Sequence, residues 1–178
     1  MIFRKTSNPD VSIISPELRG DERGYFTRIF AKEEFANFDI DFNIVHMNRS
    51  LTTTKGMIRG LHYQSEPMAE DKLVQCLKGS IFDVAIDIRV NSPTFGQWVG
   101  ATLSEENLEM LLIPKGFAHG FQALDNDVIV QYSVTEYYSP EHEGGFRWDD
   151  PFFNIKWPIT DVTTSEKDKS WAFHKTSK

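Results

Sequence analysis

The sequence has a single cysteine, Cys76, so no internal disulfide framework can form and a reducing cytoplasm is the expected setting. No apolar run is long enough to span a membrane, and Met1-Ile2-Phe3-Arg4-Lys5 lacks the apolar stretch of a signal peptide. Cations are scarce: 19 Lys and Arg against 26 Asp and Glu leave a net charge of −7, which argues against general nucleic-acid binding. Any anionic ligand must therefore be held by a few local cations. There is no paired-histidine motif such as His-x-His, which counts against a metal centre. Helical periodicity is nearly absent, and there is no linker, repeat or low-complexity tract. What is plentiful is aromatic: 14 Phe, 5 Tyr and 4 Trp in 178 residues, a length that suits one domain over 1–178 with a sizeable core.

Short strand-like runs separated by turns fill most of the chain. Val11–Ser15, Tyr25–Phe30, Phe42–Ser50 and Gly56–Gln64 read as strands, with a helical turn or two in Lys32–Phe38. Lys72–Leu77 and Ile81–Arg89 flank Lys78-Gly79-Ser80 and predict a hairpin. The second strand alternates, with Phe82, Val84, Ile86 and Ile88 on one face and Asp83, Ala85, Asp87 and Arg89 on the other. Phe95–Leu103, Met110–Ile113, Gly116–Leu124 and Val128–Tyr137 continue the series, and a short helix opens at Ser165. The pattern predicts an all-β sandwich or barrel with a C-terminal segment packed over it.

The centre of interest is Gly56-Met57-Ile58-Arg59-Gly60-Leu61-His62-Tyr63-Gln64. In a regular strand Arg59 and His62 point opposite ways. Gly60 between them marks a candidate bulge that would turn both to one face. Two readings stand: a guanidinium holding an anion beside a proton-transferring imidazole, or an edge arginine and a hydrogen-bonded core histidine. His119 lies between Gly116 and Gly120, a setting for close backbone approach, and is read as a ligand-binding side chain on a barrel wall. His46, His62 and His119 gathered in space would make the alternative metal site. Taken locally, Tyr132 reads as a rim aromatic and Lys72, after Glu70-Asp71, as a solvated lysine. Ser165-Glu166-Lys167-Asp168 reads as a helix cap, with a carboxylate partner for His62 as the competing role of Asp168.

Together the motifs resemble the dTDP-4-dehydrorhamnose 3,5-epimerase family of cupin-like jelly-roll enzymes. The resemblance covers residues 10–170 and is carried by Asp21-Glu22-Arg23-Gly24, Ile58-Arg59-Gly60-Leu61-His62, Lys72-Leu73-Val74, Phe82–Arg89, Ser92-Pro93-Thr94-Phe95-Gly96, Ile113–Phe121, Trp148-Asp149-Asp150-Pro151, Trp157-Pro158 and Ser165–Asp168. It implies His62 as general base, Asp168 as its carboxylate partner, Tyr132 as general acid on the opposite face of the sugar, and Lys72 beside the C4 oxygen. It implies substrate contacts from Arg23, Arg59, His119, Asn48, Glu143 and Lys167. It also implies a nucleotide-diphosphate 4-keto-6-deoxy sugar as substrate, inverted at C3 and/or C5, with no metal, no other cofactor and no nucleic-acid or membrane partner. A homodimer formed by exchanged N-terminal strands is a further implication.

Three departures stand out. Arg28 occupies a position where the family usually has glutamate, and His46 one where it usually has glutamine. The stretch Leu51-Thr52-Thr53-Thr54-Lys55 is one residue longer. All three fall on the substrate-contacting side of the pattern, so Arg28 and His46 are expected to alter the choice of base or sugar. A 3,4-ketoisomerase on the same fold, and a non-catalytic sugar- or metal-binding cupin, are the alternatives.

Overall fold

The computed structural model describes residues 1–175. Its elements are β1 (Ile2–Lys5), β2 (Ser12–Ser15), β3 (Arg19–Asp21), β4 (Gly24–Phe26), α1 (Lys32–Ala36), β5 (His46–Thr52), β6 (Met57–Gln64), β7 (Lys72–Lys78), β8 (Ser80–Asp87), β9 (Trp98–Ser104), β10 (Met110–Ile113), β11 (Phe117–Ala123), β12 (Val128–Val134), β13 (Glu143–Gly145), β14 (Thr163–Thr164) and α2 (Glu166–Ser170). One sheet runs β1-β2-β10-β7-β12-β5, the other β13-β6-β11-β8-β9, with β14 added to β6. β3 and β4 form a separate ribbon. The two main sheets sandwich a core that includes Val74, Cys76, Ile81, Ala85, Leu111, Phe121 and Val130. The strand pattern's all-β sandwich is thus present, in the cupin-like jelly-roll form that the family resemblance implies.

The predicted hairpin at Lys78-Gly79-Ser80 does not form. β7 pairs with β10 and β12, whereas β8 pairs with β9 and β11. Both edges of each strand are taken by other strands, so the tight turn passes the chain from one sheet to the other. Gly79 makes that turn possible with φ +72°. Cys76, buried just before it, has its thiol pushed up to about 11 by desolvation. Several strands also differ in extent. Tyr25–Phe30 keeps strand character only to Phe26, and the Phe42–Ser50 strand starts at His46 and runs to Thr52. β1, β3, β13 and β14 are too short or too polar to show in a pattern of alternating residues.

The alternation in β8 is as expected, and its outer face is covered by the C-terminal segment, as the sequence also predicts. Val84 and Ile86 pack with Phe153 and, at the margin, Phe82, Ile88, Trp98, Phe146 and Trp157. The C-terminal segment thus covers the outer face of the second sheet with aromatics, and both faces of β8 are buried. The same segment sets α2 against the middle of β6, where Asp168 meets Gly60 and His62.

Below β8, Asp87 ties the chain together. Its carboxylate has no exposed surface and accepts hydrogen bonds from Arg89 Nε (2.9 Å) and Nη2 (2.7 Å), Ser92 Oγ (2.5 Å) and Thr94 Oγ1 (2.6 Å). Burial pushes the carboxyl up, but these donors pull it far below the usual range. Because the folded value is depressed, the stabilisation is complete above the unfolded value of about 4 and is lost as pH falls below it. Asp87→Ala is expected to cost about 2–3 kcal/mol near neutral pH, since it leaves Arg89 Nε and the Ser92 and Thr94 hydroxyls without their acceptor, while Arg89 keeps its contact with Asp10. In denaturant melts the gap between the two proteins should narrow below about pH 4. An undiminished gap in acid would contradict this assignment.

Candidate active site

Strand register brings the candidate residues together. In the first sheet, Tyr132 pairs with Asn48 on β5 and Val134 pairs with Lys72 on β7. Tyr132 and Val134 share a face, so Tyr132, Asn48 and Lys72 project to the same side. In the second sheet His119 pairs directly with His62. The register shifts between His119 and Phe121, so that Gly60 and Leu61 together oppose Gly120. That irregularity lets Arg59 join His62 and His119 in lining one cavity, as the bulge reading of Gly60 requires. Gly60 has φ +127°, and a Cβ there would come within 2.6 Å of the Gly120 Cα, so no larger residue fits.

The facing sheets enclose two joined spaces. The inner one, of about 190 Å³, is lined by Ser50, Arg59, His62, Lys72, His119, Phe121 and Tyr132. The outer one, of about 380 Å³, shares His62, Lys72 and Tyr132 and adds His46, Asn48, Glu70, Tyr138 and Glu143. An imidazole from one sheet and a phenol from the other therefore bound the same space, with an ammonium group between them on the wall.

His62 is held by Asp168, with Nε2 2.6 Å from the carboxylate Oδ1. The Asp168 side chain is 5 % exposed against 33 % for His62, so the carboxylate is buried behind a ring open to the cavity. Burial pushes the Asp168 carboxyl up, but the His62 ring and the Gly60 N–H pull it below the usual range. An ionised Asp168 accepts a hydrogen bond from Nε2–H, which leaves the lone pair of a neutral His62 on Nδ1. The helix-cap reading of Asp168 is also correct. Its backbone N–H donates to Ser165 Oγ at 3.1 Å while its carboxylate serves His62. The cap fixes the backbone, and the backbone aims the carboxylate.

The other groups each have a defined setting. Burial, reinforced by the Glu70 charge and opposed by Arg59, raises the Tyr132 phenol above its ordinary range, so it holds its proton at neutral pH. Lys72 Nζ lies 2.8 Å from Glu70 Oε1, and the two side chains are 11 % and 10 % exposed. His119 Nε2 is 2.7 Å from Asp83 Oδ1, a carboxylate buried completely. The Arg59 guanidinium donates to Thr52 Oγ1 at 2.9 Å and to the Leu51 carbonyl at 2.7 Å, which orients it. At the mouth, Glu143 accepts from Lys167 Nζ (2.6 Å) and Tyr138 OH (3.1 Å). Burial pushes Glu143 up, but these bonds and the nearby charges bring it below the usual carboxylate range. Among the described residues no group of three or more His, Cys, Asp or Glu could hold a metal ion.

Of the twelve residues singled out in the sequence, His46, Asn48, Arg59, His62, Lys72, His119, Tyr132 and Glu143 line this space. Asp168 and Lys167 support it from behind and from the rim. The local readings of Tyr132 as a rim aromatic and of Lys72 as solvated are corrected: both side chains face the cavity, because strand parity sends them inward. Arg23 and Arg28 line neither space. Arg23 is 83 % exposed and paired with Asp21 in the β3–β4 ribbon, and Arg28 lies near Glu34. Sequence reasoning missed Glu70, Asp83 and Tyr138. Glu70 stands two residues before Lys72, the spacing at which an extended chain puts two side chains on one face.

The family model for dTDP-4-dehydrorhamnose 3,5-epimerase matches residues 5–175. The chain belongs to this family. It is 48 % identical over 171 residues to the dTDP-4-dehydrorhamnose 3,5-epimerase of Sinorhizobium fredii, covering 96 % of this chain and 88 % of that one. It superposes with a TM-score of 0.94 on the crystal structure of the Bacillus anthracis dTDP-4-dehydrorhamnose 3,5-epimerase with TDP and pyrophosphate bound, at 42 % identity over 97 % of this chain and 99 % of the other. With the Legionella pneumophila dTDP-6-deoxy-D-glucose-3,5-epimerase in complex with dTDP-4-keto-L-rhamnose the TM-score is 0.92, at 43 % identity over 97 % and 92 % of the two chains.

Proposed function

We propose that this protein epimerises a nucleotide-diphosphate 4-keto-6-deoxy sugar at C3 and C5 through an enolate, as a dTDP-4-dehydrorhamnose 3,5-epimerase. The observation that carries the reading is the opposition of His62, backed by Asp168, and Tyr132 across one cavity. The C4 ketone acidifies the hydrogens on both neighbouring carbons. His62 Nδ1 takes one of them, and the electron pair moves through the new C=C bond onto the C4 oxygen. Lys72 stabilises that developing charge more than it stabilises the ketone, which lowers the barrier. Tyr132 returns a proton from the other face, which inverts the carbon. Arg59 supplies the positive charge for the diphosphate at the inner end, where the His119 ring also lines the wall. No step calls for a metal or organic cofactor.

Incubation with dTDP-4-dehydro-6-deoxyglucose in heavy water tests the reading. Deuterium is expected at C3 and C5 of the product. Deuterium at one carbon would make the protein a mono-epimerase, a shifted ketone an isomerase, and no incorporation would defeat the reading. Tyr132→Phe is expected to lower product formation by about 10²-fold, the scale of a lost general acid, while His62-dependent exchange without inversion persists. Product formation at the wild-type rate would remove Tyr132 from its role.

The protein works in the cytoplasm as one domain over 1–178 and as a homodimer. Three facts support the pairing. β1 is an edge strand. Leu18, Tyr25 and Phe26 are more than half exposed. Arg23 and Arg28 lie outside the cavity of their own chain, so any substrate contact they make is with a second copy's site. His46 edges the outer cavity against Tyr137, at 5.4 Å between ring centroids. Comparing affinities for dTDP, UDP, CDP and GDP tests whether His46 and Arg28 alter base choice, and a clear preference for dTDP would show that they do not.

A further inference from the structure

A lysine side chain is long and flexible, and its ammonium carries three donors. In an otherwise free Lys72 that charge would be drawn to the nearest strong anion, which in a loaded site is the diphosphate of the ligand and not the C4 oxygen. The structure gives the ammonium one partner among the described residues, Glu70 Oε1 at 2.8 Å. The segment that carries Glu70 is itself held. Gln64, which is 6 % exposed, donates from Nε2 to the Met68 carbonyl at 2.8 Å and the Tyr137 carbonyl at 3.1 Å, with Glu70 Oε2 a longer third contact at 3.4 Å. Next in the chain, the Asp71 N–H donates to Thr135 Oγ1 at 2.9 Å and the Asp71 carboxylate accepts from the Lys115 N–H at 2.8 Å. The segment that carries Glu70 is thus pinned on both sides of the residue.

A mostly buried ion pair of this kind adds little net stability, because desolvation of both charges offsets their attraction. What it does constrain is position. The ammonium still borders the cavity, and it cannot swing toward the phosphates without breaking a short charged contact. Fixing a charge before the reaction is what makes it effective on a developing oxyanion.

We infer that Glu70 is a positioning residue for epimerisation, seating the Lys72 ammonium at the carbonyl end of the cavity. The inference rests on the proposed function and goes beyond it by adding a carboxylate to the proton-transfer set. Glu70 acts through Lys72 and need not touch the sugar.

The test is steady-state kinetics of three variants on the 4-keto-6-deoxy nucleotide sugar, with thermal unfolding as the control for folding. Glu70→Ala is expected to lower kcat by about 10- to 100-fold, the scale of a catalytic group displaced by about an ångström, with KM and dTDP affinity nearly unchanged. Glu70→Gln keeps an oxygen at the same reach and should recover part of kcat. Glu70→Asp keeps the charge but falls one methylene short, and should resemble Glu70→Ala. Adding Glu70→Ala to Lys72→Met should cost nothing further, since the two act as a unit. A Glu70→Ala protein with wild-type kcat, or one that raises KM alone, overturns the inference while wild-type turnover leaves the proposed function standing. A wild-type protein that exchanges no substrate hydrogen overturns both.

Discussion

His62→Ala is expected to abolish hydrogen exchange at C3 and C5 and to lower kcat by about 10³-fold or more, toward the upper end of what a positioned base contributes. The reason is geometric. His119 has the same kind of backing, its Nε2 lying 2.7 Å from the buried Asp83, and it lines the same cavity, but its side chain is only 11 % exposed against 33 % for His62, so His62 is the imidazole more open to a substrate. Affinity for dTDP should stay near the wild-type value, because the imidazole is assigned to the sugar and not to the nucleotide. The checks are proton exchange by NMR in heavy water and direct calorimetric titration with dTDP. Retained exchange in His62→Ala would move the base elsewhere and dismantle the mechanism.

Lys72→Met is expected to lower kcat by about 10²- to 10³-fold, the cost of losing one preorganised oxyanion donor. Methionine keeps much of the length and apolar stem of lysine, so the loss is chiefly that of the charge. The effect should fall on kcat more than on KM, since an enolate oxygen needs the ammonium far more than a ketone does. Removing Lys72 leaves Glu70 in a buried place without its cation. The unfolding temperature must therefore be compared with that of Lys72→Met combined with Glu70→Gln, which relieves the stranded charge. Should both proteins turn over at the wild-type rate, charge stabilisation at C4 would have to come from another group.

How far the site could be read beforehand differs by residue. That Arg59 and His62 share a face is legible from Gly60 between them, a strand glycine being a local sign of a bulge, but that window leaves open whether they bind and transfer protons or are only packed. His119 was legible from its glycine neighbours. Tyr132 and Lys72 were not legible from their own windows. A tyrosine in a strand and a lysine after two acids have ordinary surface explanations, and only resemblance to a family assigned them roles. Asp168 shows a different limit. Its helix-cap signature and its contact with His62 were weighed as rivals, yet the backbone serves one and the carboxylate the other. The hairpin expected at Gly79 failed for a further reason: a tight turn specifies that the chain reverses, not which strand it then pairs with.

What the sequence by itself determined is therefore local: strand periodicity, the glycines that permit bulges and turns, the serine that starts α2, and the cysteine and charge counts that limit the setting. Only the tertiary structure decided that β7 and β8 lie in opposite sheets, that Tyr132 faces His62, and that Glu70 grips Lys72. Side-chain alternation and turn chemistry act over a few residues. Pairing across tens of residues depends on which distant edges are free once the core has closed, and no single window of the chain contains that information.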